Sequence, residues 1–276
     1  MESAPLIRLN DGNAIPQIGL GTWPLDDAEV ATAVVSAVEL GYRHVDTAYR
    51  YGNEAGVGQG VRDCGIPREE LFITTKLDGT YQGRDRAVEG LEGSLQRLGL
   101  DYVDLLLIHW PLPQRNEFIS TWKTFERLQA EGKVRSIGVS NFKPSHLERL
   151  LEETSVLPAV NQIQISPSIT RIDERAFNES HNIASESYSP LGAGRDLLNA
   201  PVLAAIAKKH GKTPGQVVLR WHVQEGLVAI PKSANPLRMK ENLDVFDFAL
   251  DDADLSAIDT LDAGQDAGVD SDVQGH

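Results

Sequence analysis

Val103-Asp104-Leu105-Leu106-Leu107-Ile108-His109 is an apolar run of strand length that stops on an imidazole, and the same pattern recurs along the chain. Upstream, Leu71-Phe72-Ile73-Thr74-Thr75 ends at Lys76, and His44-Val45 ends at Asp46. Downstream, Ile137-Gly138-Val139 ends at Ser140 and Asn141, Ala159-Val160 leads to Asn161 and Gln162, and Ser187 leads to Tyr188. Val228-Ala229-Ile230 leads through Pro231 to Lys232 and Ser233. Helical stretches separate these runs. In a closed parallel barrel all strand C-termini meet on one face, where barrel enzymes place their chemistry. Residues scattered over roughly 190 positions would then share one pocket.

The rest of the chain fits that architecture. Leu6-Ile7-Arg8-Leu9, a turn at Asn10-Asp11-Gly12-Asn13, and Ala14-Ile15 read as a hairpin, since Asn, Asp and Gly tolerate the positive φ of tight turns. The first barrel strand is expected at 18–22. Asp26 or Asp27 can cap the next helix, in which Val30, Val34, Val35 and Val38 recur at helical spacing. Further helices are expected around 54–64, 85–98, 120–131, 144–153, 173–182, 200–209 and 236–244. Asp85, Ser145 and Asp173 stand at plausible N-termini, and Gly132 and Gly211 follow plausible C-termini. An additional helix at 214–224 precedes the last strand. The expectation is a single α/β domain over 1–276: a (β/α)8 TIM barrel, with the hairpin (1–16) closing its bottom and an extra helix before the last strand. The segment 262–276, rich in Asp and Gly with few apolar anchors, is expected to be a mobile tail or to order only with ligand.

At 276 residues the chain can bury a large core without disulfide or metal, and its one cysteine, Cys64, reads as a packing thiol in a reducing compartment. A formal net charge of −14 argues against nucleic-acid or anionic-membrane partners, which need a basic surface. The N-terminal stretch lacks the features of a signal peptide, and no apolar run approaches the ~20 residues of a membrane span. The expectation is a cytoplasmic monomer that acts on a small molecule.

Two apparent motifs fail on context. Gly56-Val57-Gly58-Gln59-Gly60 lacks the preceding strand and the spacing of a dinucleotide loop, so close packing is the better reading. Gly138-Val139-Ser140-Asn141-Phe142 has Phe where a nucleophile elbow needs its second Gly. With no H-E-x-x-H and no Cys pair, no metal is expected.

Asp46, Tyr51, Lys76 and His109 make a coherent set for redox chemistry. A Tyr hydroxyl titrates near 10 and needs help to give its proton at neutral pH. A neighbouring Lys⁺ stabilises the phenolate, and Asp46 provides the counter-charge that keeps the lysine protonated. His109 can hydrogen-bond a carbonyl oxygen and orient it. Such a site polarises and protonates a carbonyl while hydride arrives from a cofactor.

From about Leu9 to Leu261 the chain resembles the aldo-keto reductases, in particular their bacterial 2,5-diketogluconate reductase branch. The resemblance rests on Gly-Tyr-Arg-His-Val-Asp-Thr-Ala (41–48), Tyr-Gly-Asn-Glu (51–54) and Phe-Ile-Thr-Thr-Lys-Leu (72–77). It continues with Asp-Leu-Leu-Leu-Ile-His-Trp-Pro (104–111), Ile-Gly-Val-Ser-Asn-Phe (137–142), Ala-Val-Asn-Gln-Ile (159–163) and Ile-Pro-Lys-Ser (230–233). It implies a catalytic tetrad of Asp46, Tyr51, Lys76 and His109, with Tyr51 as proton donor, and binding of NADPH before a carbonyl substrate. Ser140, Asn141 and Gln162 would hold the carboxamide and Tyr188 would stack on the nicotinamide. Thr22, Trp23 and Ile230 would border the cofactor, and Ser189-Pro190-Leu191-Gly192 would lie over its pyrophosphate. Lys232, Ser233 and Arg238, with Glu241 and Asn242, match the family's adenosine-phosphate pocket. A regulatory nucleotide-binding protein, and an isomerase or lyase using Lys76 as a Schiff base, are the alternatives.

Two departures bear on substrate. Gln164-Ile165-Ser166-Pro167 replaces the family's frequent Glu-Leu-His-Pro, exchanging an imidazole for a hydroxyl. Leu77-Asp78-Gly79 replaces Leu-Trp-Asn, which removes an aromatic wall and adds a carboxylate. If Asp78 faces the pocket, acidic substrates bind poorly and neutral aldehydes or ketones are preferred, with Trp23, Trp110 and Tyr49 as apolar walls.

Overall fold

The computed structural model describes residues 4–276 except Arg195, Gln265 and Asp266. Residues 1–3 of the expected hairpin and 265–266 of the expected tail therefore lie outside the described residues. Strands β1 (Leu6–Arg8) and β2 (Ala14–Pro16) pair antiparallel with Ile7 opposite Ile15. Ile15 and Leu9 pack in one apolar cluster with Phe72, Val160 and Val228, the first residues of three barrel strands. The hairpin thus plugs the N-terminal end of the barrel.

The barrel is one eight-stranded parallel sheet in sequential order. Its strands are β3 (Leu20–Gly21), β4 (His44–Asp46), β5 (Phe72–Leu77), β6 (Val103–Ile108), β7 (Val134–Ser140), β8 (Val160–Gln164), β9 (Ala184–Tyr188) and β10 (Val228–Ala229). Main-chain bonds from Gly19 N to Ala229 O (2.9 Å), Ala229 N to Gln17 O (2.9 Å) and Gly21 N to Pro231 O (3.3 Å) join the first strand to the last and close the ring. A Cβ at Gly21 would stand 2.6 Å from Ile230 O, so this seam needs glycine there.

Around the sheet lie α1 (Asp27–Leu40), α2 (Glu54–Asp63), α3 (Arg84–Leu98), α4 (Phe118–Ala130), α5 (Pro144–Glu153), α6 (Ile172–Ser180), α7 (Pro201–His210), α8 (Pro214–Gln224), α9 (Pro236–Leu243) and α10 (Asp252–Asp259). Asp26, not Asp27, caps α1, in a capping box with Glu29. Thr213 and Gln216 box the start of the extra helix α8. The expected N-termini of α3, α5 and α6 are where the sequence places them. Asp85, Ser145 and Asp173 sit inside the first turns, and Gly83, Lys143 and Arg171 hold the cap positions. Asp85 and Asp173 still face the positive end of the helix dipole. Gly211 ends α7 in the left-handed region (φ 66°). The close-packing reading of α2 is carried by contacts on two sides. A Cβ on Gly56 would come within 2.2 Å of Asp27 O, and one on Gly58 within 1.9 Å of Leu98 O. α10 is unanticipated: its first turn carries Asp252 and Asp254, and a capping box from Asp251 to Asp254 starts it, with Ile258 as buried anchor.

Candidate active site

Strand register brings the polar strand ends together. Asp46 pairs with Thr74, two residues before Lys76, and Lys76 pairs with Leu107, two before His109. Across the ring, Ser140, Gln162 and Glu186 are successive partners on β7, β8 and β9. Tyr51 comes from a 3₁₀ turn, Tyr49–Tyr51, that ends on Gly52 at φ 69°. Buried Asn53 secures that turn, accepting from Thr47 Oγ1 (2.7 Å) and donating to the carbonyls of Leu25 (2.8 Å) and Thr22 (3.2 Å).

Lys76 Nζ donates to Asp46 Oδ1 at 2.5 Å, to Thr47 O at 3.0 Å and to the Tyr51 hydroxyl at 3.2 Å. All three donors of the ammonium are used. Asp46 Oδ2 accepts from Gln162 Nε2 at 2.8 Å, so both carboxylate oxygens are acceptors and the pair is Lys⁺–Asp⁻. Burial opposes the charge on Lys76, yet Asp46 and Tyr51 together hold its pKa above the ordinary lysine value. Burial also raises Tyr51, and the charge of Lys76 only partly offsets it. The resting phenol therefore stays protonated, more firmly than the lysine alone would suggest. Burial, then the charge of Lys76, drives His109 well below the ordinary histidine range, leaving a neutral imidazole. Its Nδ1 has no partner among the described residues. The His109 ring lies edge-on to Tyr51, with centroids 5.9 Å apart.

Tyr51 and His109 open into a cavity of about 400 Å³ that Thr22, Trp23, Asp46, Trp110, Ser140, Asn141, Gln162, Tyr188, Ser189, Ile230 and Lys232 also line. Hydrogen bonds from Ser140 Oγ to Gln162 O (2.8 Å), Asn141 Nδ2 to His109 O (3.1 Å) and Tyr188 Oη to Asn141 Oδ1 (2.8 Å) tie four strand ends into one collar. Trp23, 63% exposed, stands at the rim. A second recess of about 480 Å³ shares Trp23, Ser189 and Lys232 with the first and adds Pro190 and Leu191. Gly192 lies in the same loop at φ 90°, outside both linings.

At the far end, Lys232 and Arg238 are exposed and have no ion pair among the described residues. Ser233 Oγ accepts from Asn235 N (3.1 Å), and Asn235 caps α9. The first-turn N–H groups of α9 are therefore partly satisfied from within the chain. Glu241 is exposed, and Asn242 is buried beside the Tyr42 hydroxyl.

Two expected pocket residues are elsewhere. Asp78 is buried and accepts from Thr80 N (2.9 Å) and Thr80 Oγ1 (2.7 Å) as the cap of a 3₁₀ turn, and it does not line the cavity. Tyr49 packs edge-on against Tyr81, with Arg97 over its ring, and is not part of the lining. Both follow a strand end, where side-chain direction depends on the loop. Four lining residues, Gly21, Arg50, Val269 and His276, were not anticipated.

Residues 267–276 of the tail, expected to be mobile or to order only with ligand, run across the barrel mouth. Lys143 Nζ contacts Asp270 (2.6 Å) and Asp272 (2.5 Å), Arg171 donates to Val269 O (2.7 Å), and Gly79 N donates to His276 O (3.2 Å). The His276 ring lies 5.0 Å from that of His109. Among the described residues no cluster of His, Cys, Asp or Glu could hold a metal, and no helix is long and apolar enough to cross a membrane.

Residues 17–263 match the model of the Aldo/keto reductase family. The chain belongs to the aldo/keto reductase family. It is 49% identical over 267 residues to an aldo-keto reductase of Mycolicibacterium smegmatis, covering 97% of each chain. It is 47% identical over 276 residues to methylglyoxal reductase DkgA of Escherichia coli K12, covering all of both. A variant of Gox0644 solved in complex with NADPH is 46% identical with a TM-score of 0.94, covering 99% of this chain and all of that one. The polar collar of this aldo-keto reductase lies at the C-terminal ends of its strands, where the strand pattern places it.

Proposed function

We propose that this aldo-keto reductase uses NADPH to reduce aldehydes or ketones to alcohols, with Tyr51 as general acid. The observation that carries the reading is the buried series Asp46–Lys76–Tyr51, which ends beside His109 at the cavity. The NADPH complex of a 46% identical structure supports the choice of cofactor. The residues also fit it. Two adjoining recesses suit the two ends of a dinucleotide, the collar offers donors and acceptors for a carboxamide, and Lys232 and Arg238 are cations with no ion pair among the described residues. Ser140, Asn141, Gln162 and Tyr188 would hold the nicotinamide end. Lys232, Ser233 and Arg238, flanked by Glu241 and Asn242, would hold the adenosine phosphate.

When bound, NADPH supplies hydride to the carbonyl carbon. The Tyr51 hydroxyl gives its proton to the carbonyl oxygen, and Lys76 stabilises the phenolate that remains. Asp46 keeps Lys76 charged inside the barrel, and the neutral His109 donates a hydrogen bond that orients the oxygen. Trp23 and Trp110 wall the site and favour an apolar substrate body. Because Asp78 is engaged as a cap, it gives no reason to exclude acidic substrates. A small carbonyl compound suits the cavity, and the E. coli relative is named for methylglyoxal.

The test is NADPH oxidation, followed by its near-ultraviolet absorbance, against neutral aldehydes, ketones and keto acids, with NADH in parallel. Turnover with NADPH is expected. Tight NADPH binding without turnover across the panel would overturn the reading in favour of a regulatory nucleotide-binding role.

A further inference from the structure

Glu186 is a carboxyl group at the centre of the barrel that the proton-donating series does not use. It sits mid-strand on β9, fully buried, with its Cα in register with that of Gln162 on β8. Glu186 Oε2 accepts from Gln162 Nε2 at 2.9 Å, while the same nitrogen donates to Asp46 Oδ2 at 2.8 Å. β4 and β8 stand opposite each other in the ring, so the bond to Asp46 spans the barrel. On its other side Oε1 lies 3.6 Å from His44 Nε2, itself 3.1 Å from Thr74 Oγ1, and has no hydrogen-bond partner among the described residues.

A primary amide has two N–H donors and one carbonyl acceptor. Both donors of Gln162 are taken by buried carboxyl oxygens. Turning the amide over would set its oxygen against Asp46, whose two oxygens already serve as acceptors. One such hydrogen bond is a pivot, and two fix the plane. Gln162 lines the cavity, and its Oε1 accepts no hydrogen bond among the described residues.

We infer that Glu186 is a positioning residue: together with Asp46 it locks the Gln162 amide with its oxygen toward the cavity, as the acceptor for the carboxamide N–H of a nicotinamide cofactor. The inference rests on the reading of this cavity as the nicotinamide site. A buried carboxyl is costly unless its oxygens are satisfied, and Gln162 is the one hydrogen-bond donor within 3.5 Å that the described residues provide for it.

The probe pair is NADP⁺ and its 3-acetylpyridine analogue, in which a methyl group replaces the carboxamide NH₂ while the carbonyl remains. Dissociation constants from quenching of tryptophan fluorescence require no turnover. In the wild type the analogue is expected to bind roughly five- to tenfold more weakly, the effect of one hydrogen bond. Glu186→Leu removes the acceptor, and the ratio should fall to within about twofold of unity. Glu186→Gln, whose carbonyl can accept from Gln162, should keep the wild-type ratio. Glu186→Met provides the same removal if Leu impairs folding, and circular dichroism melts establish which variants are folded. A wild-type ratio in folded E186L or E186M would overturn the inference. A wild type that binds both probes equally would overturn it too, leaving carbonyl reduction untouched. A wild type that binds neither would overturn the proposed function itself.

Discussion

Lys76 Nζ stands 3.2 Å from the Tyr51 hydroxyl and 4.9 Å from the centre of its ring, although the two residues come from different kinds of structure. Lys76 belongs to a barrel strand with both neighbours paired, whereas Tyr51 rides on a short turn pinned by Asn53. The rigid partner thus presents charge to the group proposed to release a proton.

Tyr51→Phe removes the proposed proton donor and little else. Its kcat should fall about 10²- to 10⁴-fold, with the dissociation constant for NADPH changed less than about twofold. Stopped-flow turnover and fluorescence titration check the two numbers, and a kcat near wild type would mean that another group supplies the proton.

Removing Lys76 strands a carboxylate. Lys76→Met should destabilise the fold by about 3–5 kcal/mol, because Asp46 would remain buried without its cation. Pairing it with Asp46→Asn removes both charges and should recover part of the loss. Urea unfolding of the two variants decides it; equal losses would show that the ion pair is not what the single substitution breaks.

Glu186 gives stability a dependence on pH. Burial and then the charge of Asp46 push its carboxyl up to about 8 from an ordinary 4.5. Between those values the folded protein keeps a proton that the unfolded chain releases. The contribution is therefore complete below about pH 4.5 and lost as pH rises through 8. His44 and His222 act in a lower window. Burial takes them from 6.5 to about 3 and about 4, so they destabilise the fold as pH falls below 6.5. From pH 6.5 to 8, melting temperature should fall more steeply for the wild type than for Glu186→Gln. Parallel melting curves would contradict this assignment.

Asp78 should matter to stability and not to substrate choice. Losing its cap in Asp78→Ala should cost about 0.5–2 kcal/mol. The ratio of kcat/KM for a neutral aldehyde to that for a matched keto acid should change less than about twofold. A larger change in that ratio would return the carboxylate to the substrate site.

Much of this architecture was legible along the chain because its signals are local. Apolar runs, their polar stops and the helical spacing between them follow from which side chains must leave water, and they located the strands and nearly all the helices. The exception has a physical reason. α10 begins in a stretch of aspartates whose capping role outweighs their polarity.

Sequence alone determined that Asp46, Lys76, His109, Ser140, Asn141, Gln162 and Tyr188 end up on one face, since parallel strands joined by helices all finish at the same end of a barrel. Only the tertiary structure decided what lies across that barrel and over its mouth. Gln162 reaches from β8 to Asp46 on β4, Glu186 completes that bond, and the terminal segment lays His276 beside His109. Asp78 and Tyr49 turned away for the same reason. Periodicity sets which residues are buried, but direction beyond a strand end and contact across a ring depend on closure of the whole chain.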